Sequence, residues 1–224
     1  MRINADLSQR AVVDVNALPW VASPMAGVER KMLERDGGEV ARATSLVRYA
    51  PGSAFAAHEH GGGEEFLVLD GVFSDEHGDY PAGTYVRNPP GSSHAPFSRE
   101  GCTLFVKLRQ FAPDDLKRVV IDTRTAPFQT GKTDAYDELM LHQHGLERVY
   151  LFRWHAGKGF PYHIHRGGEE IFILEGRYAD EHGSYPAGTW VRAPVGSSHT
   201  PKETEGALFY GKLGHLPAPE RRAA

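Results

Sequence analysis

The chain has 224 residues and a formal net charge of −4, with 25 Lys and Arg and 29 Asp and Glu mixed along its length. No basic stripe is present, which argues against a nucleic-acid surface, and the single cysteine, Cys102, excludes an internal disulfide framework or a cysteine-rich zinc module. No apolar stretch approaches a membrane-spanning length, and Met1-Arg2-Ile3-Asn4-Ala5-Asp6 shows no secretory pattern, so a cytoplasmic protein is expected.

The first repeating unit starts near Ala11 and carries Asp14, Pro19 and Trp20. Residues 28–34 fit a helix or a strand, and the sequence leaves both open. Next come Gly52, His58, His60, Glu64 and Gly71, then Gly83, Pro89, Gly91 and His94. Within this run Phe66-Leu67-Val68-Leu69 is a short apolar strand closed by Asp70-Gly71, a turn signal. Asp75-Glu76-His77-Gly78 reads as a hairpin turn with a solvated histidine. Leu104-Phe105-Val106-Lys107-Leu108 is a further strand holding Cys102 close by as a small apolar residue. Gly and Pro recur too often for long helices, and short strands with regular turns suggest a sandwich or barrel.

After Phe111-Ala112-Pro113-Asp114-Asp115 the chain repeats itself. Residues 46–108 align with 151–213 without a gap, at a separation of 105, and about half the positions are identical. Gly157, His163, His165, Glu169 and Gly176 answer the first set; Gly188, Pro194, Gly196 and His199 answer the second. Upstream, Asp122, Pro127 and Phe128 match Asp14, Pro19 and Trp20 at a separation of 108, so a three-residue length change lies between Trp20 and Leu46. The expected domains are residues 1–112 and 113–224, each large enough to bury its own core.

Side chains two apart on a strand share a face. His58 and His60, and likewise His163 and His165, therefore point together. The Gly61-Gly62-Gly63 bend can bring Glu64 back to that face, and a Pro-x-Gly turn delivers His94 from a later strand. Three imidazoles and one carboxylate suit a divalent Fe, Mn, Ni, Cu or Zn ion. The expected metal ligands are His58, His60, Glu64 and His94 in one site and His163, His165, Glu169 and His199 in the other. Four protein ligands leave open positions, as catalysis needs. The plain alternative, a relic that packs without metal, fits poorly with two intact copies. Glu65 and Glu170 are neighbouring carboxylates that should face away. His142-Gln143-His144 is a second His-x-His without the glycine frame, read as core or surface. The repeated aromatics Tyr80/Tyr185, Tyr85/Trp190 and Phe55/Phe160 read first as core, and Arg87/Arg192 as paired structural groups.

The pattern resembles the cupin superfamily: Gly-x5-His-x-His-x3-Glu-x6-Gly spans residues 52–71 and 157–176, and Gly-x5-Pro-x-Gly-x2-His spans 83–94 and 188–199. The Asp-Glu-x-Gly-x-Tyr-Pro-Ala-Gly-Thr stretch and the Pro-x-Gly-Ser-x-His turn are similar to the cupin domain of ChrR-type anti-sigma factors. The Asn usual four residues after the last His is replaced by Ser98 and Glu203. The resemblance implies an all-β fold of two tandem jelly-roll barrels, each with a metal and a small-molecule ligand in its mouth. It further implies either a divalent-metal dioxygenase acting on a small ketone or diketone, or a non-catalytic metal-binding sensor associated with transcription regulation. ChrR-type regulators hold their sigma factor through a separate N-terminal helical domain. This chain starts almost at once with cupin-like sequence, so a sigma-factor partner is not expected, while a homodimer through sheet edges stays open. Around the ligands Ala56-Ala57 becomes Pro161-Tyr162, Glu59 becomes Ile164 and Gly61 becomes Arg166. The two sites are therefore expected to differ, one being mainly structural.

Overall fold

The computed structural model describes residues 1–217 and is almost entirely β. Residues 28–34, open between helix and strand in sequence, lie on strand Val28–Gly37, and their counterparts on Tyr136–His144. In this segment Val28 is buried and pairs with Tyr49, and Tyr136 is buried and pairs with Trp154. Packing on a sheet face thus decides what local propensity does not. The three-residue length change falls in the hairpin turn that follows. Gly37 pairs with Ala41 in the first copy, whereas His144 pairs with Glu147 in the second.

The two compact units are cut differently from the linear halves 1–112 and 113–224. One comprises Met1–Ala5 and Leu18–Ala126; the other comprises Asp6–Ala17 and the chain from Pro127 onward. In the first unit the main sheet runs Arg2–Ile3, Val28–Gly37, Ala41–Tyr49, Cys102–Leu108, Glu64–Asp75, Thr84–Asn88, Val119–Asp122. In the second it runs Gln129–Thr130, Tyr136–His144, Glu147–Trp154, Gly206–Leu213, Glu169–Asp180, Thr189–Ala193, Ala11–Asp14. The last strand of each sheet is the one that opens the other sequence repeat: Val119–Asp122 pairs with Thr84–Asn88, and Ala11–Asp14 with Thr189–Ala193. The receiving edges, Thr84-Tyr85-Val86-Arg87 and Thr189-Trp190-Val191-Arg192, are near copies, so the sequence offers either edge to either strand.

Each unit closes over an aromatic-rich core. Phe66, Phe73, Tyr80, Val86 and Leu104 fill the first; Trp154, Ile171, Tyr178, Val191 and Phe209 fill the second. Gly71 and Gly176 hold left-handed backbone at φ 71° and 69°, and a Cβ on either would lie 2.1 Å from the carbonyl oxygen of Gly101 or Gly206. Only glycine meets both demands.

Candidate metal centres

Short two-stranded ribbons present the imidazoles. His58–Glu59 pairs with Ser93–His94, placing His58 directly across from His94; His163–His165 pairs with Ser197–His199, placing His163 across from His199. His60 lies just past the ribbon, two residues from His58 and on the same face, while Glu59 between them is exposed. The ring centroids of His58, His60 and His94 are 4.7 to 5.0 Å apart. Each triad offers one nitrogen per ring within a 4.8 Å span, so each could hold a metal ion.

The carboxylates arrive through the glycine bend. Gly63 has φ 77°, and a Cβ there would lie 2.4 Å from the Phe111 ring, so the turn before Glu64 needs glycine twice over. Glu64 Oε2 sits 3.4 Å from His60 Nε2 and 3.6 Å from His94 Nε2; Glu169 Oε2 sits 3.4 Å from His165 Nε2 and 3.8 Å from His199 Nε2. Asn88 Nδ2 donates to Glu64 Oε2 at 3.2 Å, and the matching position in the second copy is Ala193. The adjacent Glu65 turns away to the fully buried Arg87, which also pairs with Asp115. Glu170 likewise turns away and accepts from Trp190 Nε1.

The tautomers follow from the partners. Backbone carbonyls of Ala56 and Pro161 face Nδ1 of His58 and His163, and Asp75 and Asp180 face Nδ1 of His94 and His199. A carbonyl or carboxylate can only accept, so these four rings carry hydrogen on Nδ1 and turn an Nε2 lone pair to the centre. In the first centre His60 Nε2 and His94 Nε2 are buried with no hydrogen-bond partner. In the second, His199 Nε2 lies 3.0 Å from His165 Nε2 and 3.1 Å from His163 Nε2. Buried polar atoms left this way are costly unless something fills the gap, and a cation among three lone pairs and a carboxylate does so.

The charge states are set mainly by burial. Burial, then the His58 ring, lowers His60 to about 4; burial, then His199 and His163, lowers His165 to about 3. Burial raises Glu64 and Glu169. His94 is lowered because burial outweighs the opposing carboxylates. At His199 burial also pulls down, but the Asp180 hydrogen bond and the charges of Glu169 and Asp180 together win, so it is raised. A metal requires neutral imidazoles and ionised carboxylates, so the lowered His60, His94 and His165 favour it, whereas the raised His199, Glu64 and Glu169 must give up their protons as it binds.

A buried chain of partners behind His94 and His199 is absent from the sequence reading. Asp75 Oδ2 lies 3.1 Å from His94 Nδ1, Tyr80 OH donates to Asp75 Oδ1 at 3.0 Å, and Arg118 donates to Tyr80 OH at 2.9 Å. Asp180 Oδ2 lies 3.0 Å from His199 Nδ1, Tyr185 OH donates to Asp180 Oδ1 at 3.0 Å, and Arg10 donates to Tyr185 OH at 2.6 Å. Asp180 is held far below the usual carboxylate range: burial opposes, but the bonds from His199, the His182 amide and Tyr185 prevail. The signal was available, since Asp75/Asp180 and Tyr80/Tyr185 repeat at 105 and Arg10/Arg118 at 108. The two tyrosines thus do more than fill the core. His77 and His182 are exposed turn residues whose amides donate to Asp75 and Asp180. His142 is buried on its strand and is not one of the triad residues.

Beside the second triad lies a cavity of about 440 Å³ lined by Tyr136, Phe152, Trp154, Phe160, His163 and Glu169 among others. Two open-mouthed β units with a His, His, Glu and His set apiece match a family model described as the ChrR cupin-like domain, over residues 8–112 and again over 116–217. The chain belongs to this family. Its structure is similar to that of a candidate dioxygenase from Nostoc punctiforme (TM-score 0.77, 14% identity, 95% of this chain and 85% of that one). It is also similar to Ylba from Escherichia coli (0.72, 16%, 97% and 96%) and to the formate complex of Lactobacillus farciminis oxalate decarboxylase (0.63, 10%, 93% and 86%). No curated protein matches the sequence. At such identities these structures share the fold, which for this ChrR-like chain is two tandem cupin barrels, as the resemblance implied. No helix among the described residues is long and apolar enough to cross a membrane.

Proposed function

We propose that this cupin binds one divalent metal in each barrel, through His58, His60, Glu64 and His94 and through His163, His165, Glu169 and His199, and that it is a metal-dependent enzyme, of iron dioxygenase type, for a small ketone or diketone. The observation that carries the reading is the pair of buried, unpartnered nitrogens, His60 Nε2 and His94 Nε2, beside the Glu64 carboxylate. Such a metal, when bound, supplies Lewis acidity and redox chemistry at its open positions. The protein's own part is to hold four ligands in place, to favour neutral His60, His94, His163 and His165 by burial, and to exclude water with the aromatic walls. In the second barrel the cavity opens on His163, His165 and Glu169, so a bound organic molecule would lie against the ligand set. The first barrel, with His58 exposed at its mouth, then serves as the more structural of the two.

The test is metal content per chain on protein purified without chelator, then anaerobic iron loading and oxygen uptake with diketones and aryl ketones. Near two metals per chain and uptake with one substrate class supports the proposal. No metal, even after adding Fe, Mn, Ni or Zn, sinks it. Two metals with no turnover across the panel would favour the sensor reading instead.

A further inference from the structure

The cavity beside the second triad carries a charge pattern that metal binding does not explain. Its walls include Tyr136, Phe152, Trp154, Phe160, Tyr178 and Phe209. Three cations, Lys132, Arg148 and Arg166, line the same space, and the only acidic lining residue is the proposed ligand Glu169. Among the described residues none of the three is ion-paired. Glu138 also feels Lys132 and Arg148; burial, outweighing both, raises it, which favours its neutral form. The aromatic walls are buried or half-buried while the three cations are exposed, so charge sits at the rim and rings lie within.

The first barrel shares part of the wall, with Tyr49, Phe55 and Phe73 at the positions of Trp154, Phe160 and Tyr178 and Arg109 at that of Gly214, but differs at the rest. At the positions of Tyr136, Phe152 and Phe209 it has Val28, Val47 and Leu104, and at those of Arg148 and Arg166 it has Ala43 and Gly61. Three aliphatic-to-aromatic changes and two added cations, all on one cavity, exceed what core packing asks. Arg148 bonds Tyr150, but exposed cations outside ion pairs contribute little to folding, whereas an apolar cavity with a few convergent charges is how small-molecule sites are built.

We infer that the second barrel takes a small aromatic anion, an aryl carboxylate or aryl oxo acid, its ring between Trp154, Phe152 and Phe160 and its charge toward Lys132, Arg148 and Arg166. This rests on the proposed function only for what happens to the ligand afterwards; the binding itself needs no turnover. Aromatic stacking holds the ring, and the guanidinium groups meet the carboxylate with fork geometry.

The test is calorimetry on zinc-loaded full-length protein with 2-naphthoate against neutral 2-naphthalenemethanol. The expected result is a preference of about tenfold or more for the anion at low salt, shrinking as salt is added. In Lys132→Gln/Arg148→Gln/Arg166→Gln protein that preference is lost while the alcohol binds as before. All the substituted side chains are exposed, and the salt titration of the unsubstituted protein stands if the triple variant fails to fold. Equal affinities would overturn the inference, as would a preference surviving in the triple variant, which would put the anion on the metal. Naphthoate binding without oxygen uptake on iron-loaded protein would count against the oxygenase reading alone. Uptake with a neutral diketone and no anion preference would count against this inference alone.

Discussion

Asp180→Asn isolates what the buried chain behind His199 does. The carboxylate accepts from His199 Nδ1 at 3.0 Å, Tyr185 OH at 3.0 Å, and the amides of His182 and Gly183 at 2.8 and 3.0 Å, with Arg10 at 3.5 Å. Asparagine keeps the shape but removes the charge. It also puts an NH2 group on one side, so the donors on that side lose their acceptor. His199 loses both the anchor of its tautomer and the negative charge that raises its proton affinity, and a less basic imidazole is a poorer ligand. Loss of such an outer partner typically costs about 10 to 100-fold in metal affinity, or about 1.4 to 2.7 kcal/mol. The first barrel is the control inside the same chain, because its His94 is held by Asp75. Zinc titration against a competing chelator, resolved into two sites, should therefore show only the second site weakened, and Asp75→Asn should show the converse. Cobalt loading gives a second readout in the ligand-field spectrum. Equal weakening of both sites, or of neither, would refute the reasoning, and a thermal melt separates local loosening from unfolding.

Other expectations follow from single residues. His163→Ala should reduce turnover more than His58→Ala, since the aromatic cavity lies beside His163; comparable losses in steady-state rates would contradict this division of labour. Gly157→Ala should cost only the left-handed backbone strain, about 1–2 kcal/mol, because nothing lies within 4 Å of its Cβ. Gly176→Ala, whose Cβ would meet the Gly206 carbonyl at 2.1 Å, should cost about 1–3 kcal/mol more, measured by urea denaturation. Burial pushes the Cys102 thiol up to about 11. The native state favours the neutral form, so this stabilisation is fully present below about pH 9 and is lost as pH rises through 11, by at most about 2.7 kcal/mol. Native protein at pH 8 should resist thiol reagents and react on unfolding, and fast labelling of the folded chain would show the site to be open.

The sequence alone determined the doubling and the β class, and it supplied the proposed ligand sets, because these rest on local pattern. A spacing of two puts His58 and His60 on one side of the extended chain, and turn glycines such as Gly63 and Gly71 are dictated by backbone the chain itself must adopt. The length change was also counted correctly, though only the hairpin pairing located it at Gly37–Ala41. Tertiary structure decided which receiving edge each opening strand joins, since Thr84–Asn88 and Thr189–Ala193 are nearly the same strand twice and pattern cannot choose between equal partners. It likewise decided the partners of residues far apart in the chain. Arg10 meets Tyr185, and Arg118 meets Tyr80, because the exchanged strands carry them there. Glu65 and Glu170 read as spare acids until Arg87 and Trp190 are found beside them. Lys132, Arg148 and Arg166 look like ordinary surface charges in sequence. Only closure of the barrel gathers them around one aromatic cavity, because a side chain's neighbours across a sheet are set by register, which the sequence order does not contain.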